Sequence, residues 1–193
     1  ILIVIFVGLF VYIIGPWPVY ENAQWQASDY YADAKIDIVA HAAESSFTDS
    51  PGTLNVGWAH REILPKAGTP LAGYSARVGD KASIGVRDAI EVEAVALSDG
   101  KDVVVLVGAD MLITPPNLSE GVRKRVAAAT PLTPDDILFN ASHTHCGPGA
   151  FMEGLISETS AGPFDADVLE ELISKYSATI IEAYNDIAPG KFA

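Results

Sequence analysis

From Ile1 to Ile14 only Gly8 and Tyr12 fall outside the strongly apolar residue types, and no charge appears before Glu21. A run of this kind approaches the ~20 residues that cross the hydrocarbon of a bilayer. Trp17 and Tyr20, with Pro16 and Pro18, fit an interfacial exit. The expectation is a transmembrane or signal-anchor segment over residues 1–20. Two other readings stand beside it: a cleaved signal peptide, which Glu21-Asn22-Ala23 leaves open, and a buried helix, which would have to be apolar on every face. Residues 21–53 then form a stalk and linker. Tyr30, Tyr31, Ile36 and Ile38, set among Ala and charged residues, predict a helix from about Gln24 to Glu44, and the Ser, Thr, Asp and Pro of Ser45 to Gly52 mark a turn or linker.

From Leu54 the periodicity changes. Leu54 to Ala59 reads as a short strand, after which Pro65, Gly68, Pro70 and Gly73 interrupt regular structure. Ile90 to Leu97 and Asp102 to Gly108 read as two strands joined through Ser98-Asp99-Gly100-Lys101, a hairpin signal. Val103 to Val107 is apolar without alternation, which predicts a strand covered on both faces. Pro115 and Pro116 open a helix to about Ala129, and Ile137 to Ala141 returns as a strand to complete a βαβ unit. A last helix from Asp165 to about Ile187 carries the stripe Val168, Leu172, Tyr176, Ile180 and Tyr184, flanked by Leu169 and Ile173, and Pro189-Gly190 ends it. Lys191-Phe192-Ala193 resembles the start of a further strand. The fold class is therefore α/β, a layered mixed sheet with flanking helices, expected to be incomplete at the C-terminus.

Charge and cysteine content narrow the function. With 25 acidic against 12 basic residues the net charge is −13, which excludes nucleic acid as a partner because phosphate binding needs a basic surface. Cys146 is the only cysteine, so no disulfide forms within the chain.

Candidate chemistry gathers in Asn140-Ala141-Ser142-His143-Thr144-His145-Cys146-Gly147-Pro148-Gly149. Two histidines two residues apart leave a strand end and enter a Gly/Pro turn. In extended backbone residues i and i+2 point the same way, so both imidazoles could face one cavity and offer nitrogen ligands to zinc. The bland alternative is a pair of surface or hydrogen-bonded structural histidines. Asp110 follows the apolar strand at the sheet edge where α/β proteins collect ligands; it either orients a ligand imidazole or caps a loop. His41 and His60 have no partner signature.

Gly57-Trp58-Ala59, Gly68-Thr69-Pro70-Leu71-Ala72-Gly73-Tyr74, Val107-Gly108-Ala109-Asp110 and Ser142 to Phe151 come in an order that resembles the neutral/alkaline (non-lysosomal) ceramidase family. The resemblance implies that residues 54–193 are the amino-terminal part of a zinc hydrolase domain. Such an enzyme cleaves the N-acyl bond of ceramide to give a fatty acid and a sphingoid base. By position His143 resembles a zinc ligand and His145 a histidine working beside the metal, with a second-shell orienting role as its alternative. Tyr74 and Arg77 fall in a loop that the resemblance places near the active site; exposed loop residues are the plainer reading. The remaining ligands of the family lie in later segments. Cys146 departs from the usual Ser, and a thiol so near zinc could become a further ligand. His60 to Pro65 matches the family's amino-terminal block only loosely. Two rival functions stay open: a zinc hydrolase of the same architecture acting on another N-acyl or ester substrate, and a non-catalytic membrane-anchored binding module. With its anchor, the expected location is on a membrane, with the catalytic domain outside the cytoplasm (periplasmic or extracellular).

Overall fold

The computed structural model describes residues 2–14, 25–44, 53–74 and 82–191. Contacts divide the chain into two units, Ile1–Ser50 and Pro51–Ala193.

In the first unit, helix α1 covers Leu2–Ile14 and α2 covers Asp29–Glu44. Ser28 starts α2: its hydroxyl accepts from the Tyr31 N–H at 3.3 Å while donating to the Trp25 carbonyl at 2.6 Å. The anchor expectation is corrected here. The 13 residues of α1 rise only ~20 Å, short of the ~30 Å hydrocarbon core. Among the described residues no helix is long and apolar enough to cross a membrane. Residues 15–20, which carried the interfacial exit, lie outside the described residues, as does the linker at 45–52.

The second unit is built on five strands: β1 (Asn55–Glu62), β2 (Glu91–Ser98), β3 (Val103–Ala109), β4 (Ile137–Ala141) and β5 (Ala188–Pro189). Their order is β4-β3-β2-β1-β5, with β3 and β4 parallel and the other pairs antiparallel. The β2–β3 hairpin closes where Asp99 Oδ1 accepts the N–H groups of Lys101 and Asp102, each at 2.8 Å. Helix α3 (Pro116–Ala127) links β3 to β4 in the βαβ unit, and α5 (Ala166–Asn185) packs on β1, β2 and α3. The Asp165 carboxylate caps α5 by accepting from the Asp167 N–H.

One parity of the strands makes the core: Ala59, Val92, Ala94, Ala96, Val105, Val107 and Ile137 are buried with Leu118, Val122, Val126, Leu172, Tyr176 and Ile180 of the helices. Each large aliphatic side chain so buried contributes ~1.5–3 kcal/mol. Gly57 is part of this contact, because a β-carbon there would overlap the Ala183 carbonyl of α5.

Four features differ from the expectations. β1 continues past Ala59 to Glu62, since its whole length pairs with β2. The terminal strand begins at Ala188 and pairs with the start of β1, Val56 opposite Ala188. A short helix, α4 (Leu155–Ala161), fills a stretch whose apolar Leu155 and Ile156 face solvent, so no buried periodicity marked it. Finally, β3 is covered on one face only. Trp58, Val95, Leu106 and Leu138 lie side by side across four strands on the other face, and Leu138 remains 62% exposed.

Candidate functional site

The parallel pairing of β3 and β4 brings two loops together at one sheet edge: residues 110–115 after β3 and 142–150 after β4. The ladder runs on for one more bond, from the Ser142 N–H to the Ala109 carbonyl at 2.9 Å. Then the chain turns sharply at His143, whose φ is +59°. Few non-glycine residues adopt this left-handed region, and His is among those that tolerate it better.

The turn is fixed by backbone contacts with distant segments. Gly149 N–H donates to the Pro70 carbonyl at 2.6 Å, Ala150 N–H to Ala161 at 2.7 Å, and Ala72 N–H to Gly147 at 3.3 Å. Leu71 and Pro148 form an isolated β-bridge. Gly147 and Gly149 are needed for this close approach: a β-carbon on Gly147 would sit 2.9 Å from the Asp110 carbonyl, and one on Gly149 would overlap the Ala161 carbonyl. Asn117 adds a bond from its amide to the Phe151 carbonyl at 2.9 Å.

Within this frame the two candidate imidazoles meet, with ring centroids 5.1 Å apart and nearly perpendicular. The reason differs from the expected one. His143 is not extended, so i,i+2 alternation does not bring the rings together; the left-handed turn does. His143 Nδ1 lies 2.8 Å from the Leu112 carbonyl. A carbonyl can only accept, so Nδ1 carries the proton and Nε2 keeps its lone pair. That is the tautomer a metal-ligating histidine requires.

His145 is half-buried. Tyr74 lies against it, ring centroids 4.4 Å apart, and Gly73 closes on the imidazole so tightly that a β-carbon there would overlap Nδ1. The structure therefore brings Tyr74, His143 and His145 together. It does not bring Asp110 to either imidazole by any printed bond: the carboxylate accepts from the Glu91 N–H at 3.3 Å, and the Asp110 N–H donates to the Glu91 carbonyl at 2.9 Å. Asp110 is a clamp between β3 and β2, and the orienting contact on His143 comes from Leu112. Arg77 lies outside the described residues. His60 is engaged elsewhere, stacked on Trp58 and 3.0 Å from the Glu91 carboxylate.

Two groups escaped sequence reasoning. Gly73 carried a signal, a glycine in a Gly/Pro-rich loop, and its φ of +113° shows why. Leu112 carried none, because its contribution is a backbone carbonyl. Among the described residues no three His, Cys, Asp or Glu side chains cluster as a metal site, so His143 and His145 are a partial ligand set. Cys146 is exposed, with its N–H on the Thr144 hydroxyl.

The fold resembles two solved structures. One is neutral ceramidase from Pseudomonas aeruginosa, with a TM-score of 0.66 and 20% identity over 73% of this chain and 23% of that one. The other is a ceramidase complexed with C2, with a TM-score of 0.66 and 20% identity over 72% of this chain and 22% of that one. This chain thus spans less than a quarter of either relative. No curated protein sequence matches it. Residues 55–193, from the first strand through the histidine turn to the end of the chain, match the family described as neutral/alkaline non-lysosomal ceramidase, N-terminal, and the chain belongs to that family.

Proposed function

We propose that this chain is the amino-terminal part of a zinc-dependent amidase that hydrolyses the N-acyl bond of ceramide or a related N-acyl lipid. The observation that carries the reading is the His143 Nδ1–H bond to the Leu112 carbonyl, which leaves Nε2 as a ready ligand. The donor set fits zinc as far as it goes: one oriented imidazole, a second beside it, and room in the tally for ligands from further chain. A catalytic zinc takes about three protein ligands. His143 would hold the metal, which when bound acts as a Lewis acid on the amide carbonyl and makes hydroxide available near neutral pH.

This chain's own residues do the rest. Leu112 keeps the His143 ring in register. His145, walled by Gly73 and Tyr74, donates a hydrogen bond to the oxygen that gains charge as water adds to the carbonyl. It then passes a proton to the leaving nitrogen as the C–N bond breaks, so that a fatty acid and a free amine depart. Tyr74 holds the His145 ring and borders the path of the substrate. The membrane is the natural source of such a lipid, and an extracytoplasmic location follows if the apolar α1 segment directs export or membrane association.

Metal content and ceramide turnover of the full polypeptide test the reading. His143→Ala should lose zinc. His145→Ala should keep it yet lose ~10²-fold or more in turnover, the scale of a general acid or oxyanion donor. Unchanged zinc in a folded His143→Ala variant sinks the ligand assignment, and equal zinc loss in both variants sinks the division of roles. Hydrolysis of other N-acyl lipids or esters, with ceramide untouched, would redirect the substrate.

A further inference from the structure

An apolar groove adjoins the histidine turn. Leu64, Pro65, Leu71, Ile84, Val86 and Ile90 line it, Cys146 stands in its wall, and it encloses about 450 Å³. Small-molecule sites commonly enclose ~300–1,000 Å³ and are mostly apolar. One side is the segment after β1; the other is the stretch 82–88, which a short backbone pairing holds in place. Ser83 N–H donates to the Thr69 carbonyl and Gly68 N–H to the Ser83 carbonyl, both at 2.8 Å. That anchor pushes Ile84 and Val86 outward, and Ile84 is 99% exposed. The charges at the groove, Arg87 and Asp88, pair with each other at 3.7 Å and are almost fully solvated. No unmatched charge is thereby directed at an occupant.

We propose that this groove binds the hydrocarbon chain of the lipid substrate. The inference rests on the proposed N-acyl lipid reading and extends it to a location. Three observations converge. The wall is continuous with the catalytic turn, because Cys146 directly follows His145. The lining is apolar and backbone-anchored, so it exists before a ligand arrives. Exposed Ile84 and Val86 at the rim gain burial only when something apolar fills the space beside them. A chain seated there would run away from His145, leaving its polar head at the two imidazoles.

Cys146 provides a readout independent of catalysis. On the full polypeptide, the rate at which iodoacetamide alkylates Cys146, followed by peptide mass spectrometry, is measured with sub-micellar palmitate, with hexanoate and with neither. Palmitate should slow alkylation about tenfold and hexanoate hardly at all. Val86→Asp, an exposed loop substitution that leaves the core alone, should abolish the protection while thermal melting stays unchanged. Equal alkylation rates with and without palmitate, or full protection in Val86→Asp, overturn the groove. A series of ceramides varied in the acyl chain, then in the sphingoid chain, identifies which chain enters: the relevant KM rises as that chain shortens, and indifference to both also overturns the groove. Ceramide turnover without Cys146 protection would defeat the groove and spare the amidase reading; protection without turnover would do the reverse.

Discussion

Gly73→Ala separates the strain of a backbone from the displacement of a catalytic ring. Gly73 and Gly68 lie in one loop and both have positive φ, +113° and +91°. Placing an alanine in such a conformation costs about 1–2 kcal/mol at either position. The surroundings differ. A β-carbon on Gly68 meets nothing within 4 Å, whereas one on Gly73 lands on the His145 imidazole. Ordinary carbon contacts lie at about 3.5–4.0 Å, so the ring must retreat by roughly an ångström. His145 has little room, since Tyr74 and His143 press on it at centroid distances of 4.4 and 5.1 Å. Overpacking of this kind adds ~1–3 kcal/mol. Gly68→Ala should therefore lose about 1–2 kcal/mol and keep its turnover, while Gly73→Ala should lose about 2–5 kcal/mol. Turnover of Gly73→Ala should also fall ~10²-fold, the usual consequence of misplacing a catalytic group by ~1 Å. Denaturant titration and ceramide hydrolysis of the full polypeptide supply both numbers. If the two variants lose equal stability and Gly73→Ala turns over at the wild-type rate, His145 is not positioned by Gly73 or does not act in the chemistry.

Tyr176 gives a pH signature. Its hydroxyl is buried without a hydrogen-bond partner among the described residues, and burial, reinforced by Asp110 though opposed by Thr114, pushes the phenol well above its ordinary value. Above pH ~10 the unfolded chain ionises this group while the folded one does not, so stability should fall by as much as ~1.4 kcal/mol per pH unit. Tyr176→Phe should flatten that alkaline decline and match or exceed wild-type stability at neutral pH; a large loss at pH 7 would reveal a partner for the hydroxyl. The open sheet face makes a second prediction: residues 51–193 expressed alone should bind a hydrophobic dye, and Leu138→Lys, at the centre of the row Trp58–Val95–Leu106–Leu138, should reduce the signal. An unchanged signal would place the dye elsewhere.

The elements that pack on the core were legible because burial imposes a period. The stripe Leu172, Tyr176, Ile180 became the buried face of α5, and Val122 and Val126 anchor α3 as their spacing required. Alternation failed at β3 for an equally physical reason. Val103 to Val107 is apolar on both faces, yet among the described residues only the face toward α3 and α5 is covered, and Val104 and Leu106 stay about 40% exposed. Sequence recorded a demand for burial that these residues do not meet by themselves. α4 was illegible because its apolar side chains bury nothing, and its ends are set by Gly154 and Gly162, both at positive φ.

The site divides along the same line. Side-chain chemistry was visible in the chain: His143, His145 and Tyr74 stood out as types, and the structure puts them in contact. What positions them is mostly backbone, drawn from places far apart in sequence. Leu112 lends a carbonyl, Gly73 an absence of side chain, Pro70 and Ala161 two acceptors for the turn. None of these has a residue type that announces its task. Asp110, whose type did announce one, spends its carboxylate on the Glu91 N–H instead. An imidazole can be recognised from its letter, but its tautomer is set by whichever group reaches Nδ1. At His143 that group is the Leu112 carbonyl, 31 residues away along the chain.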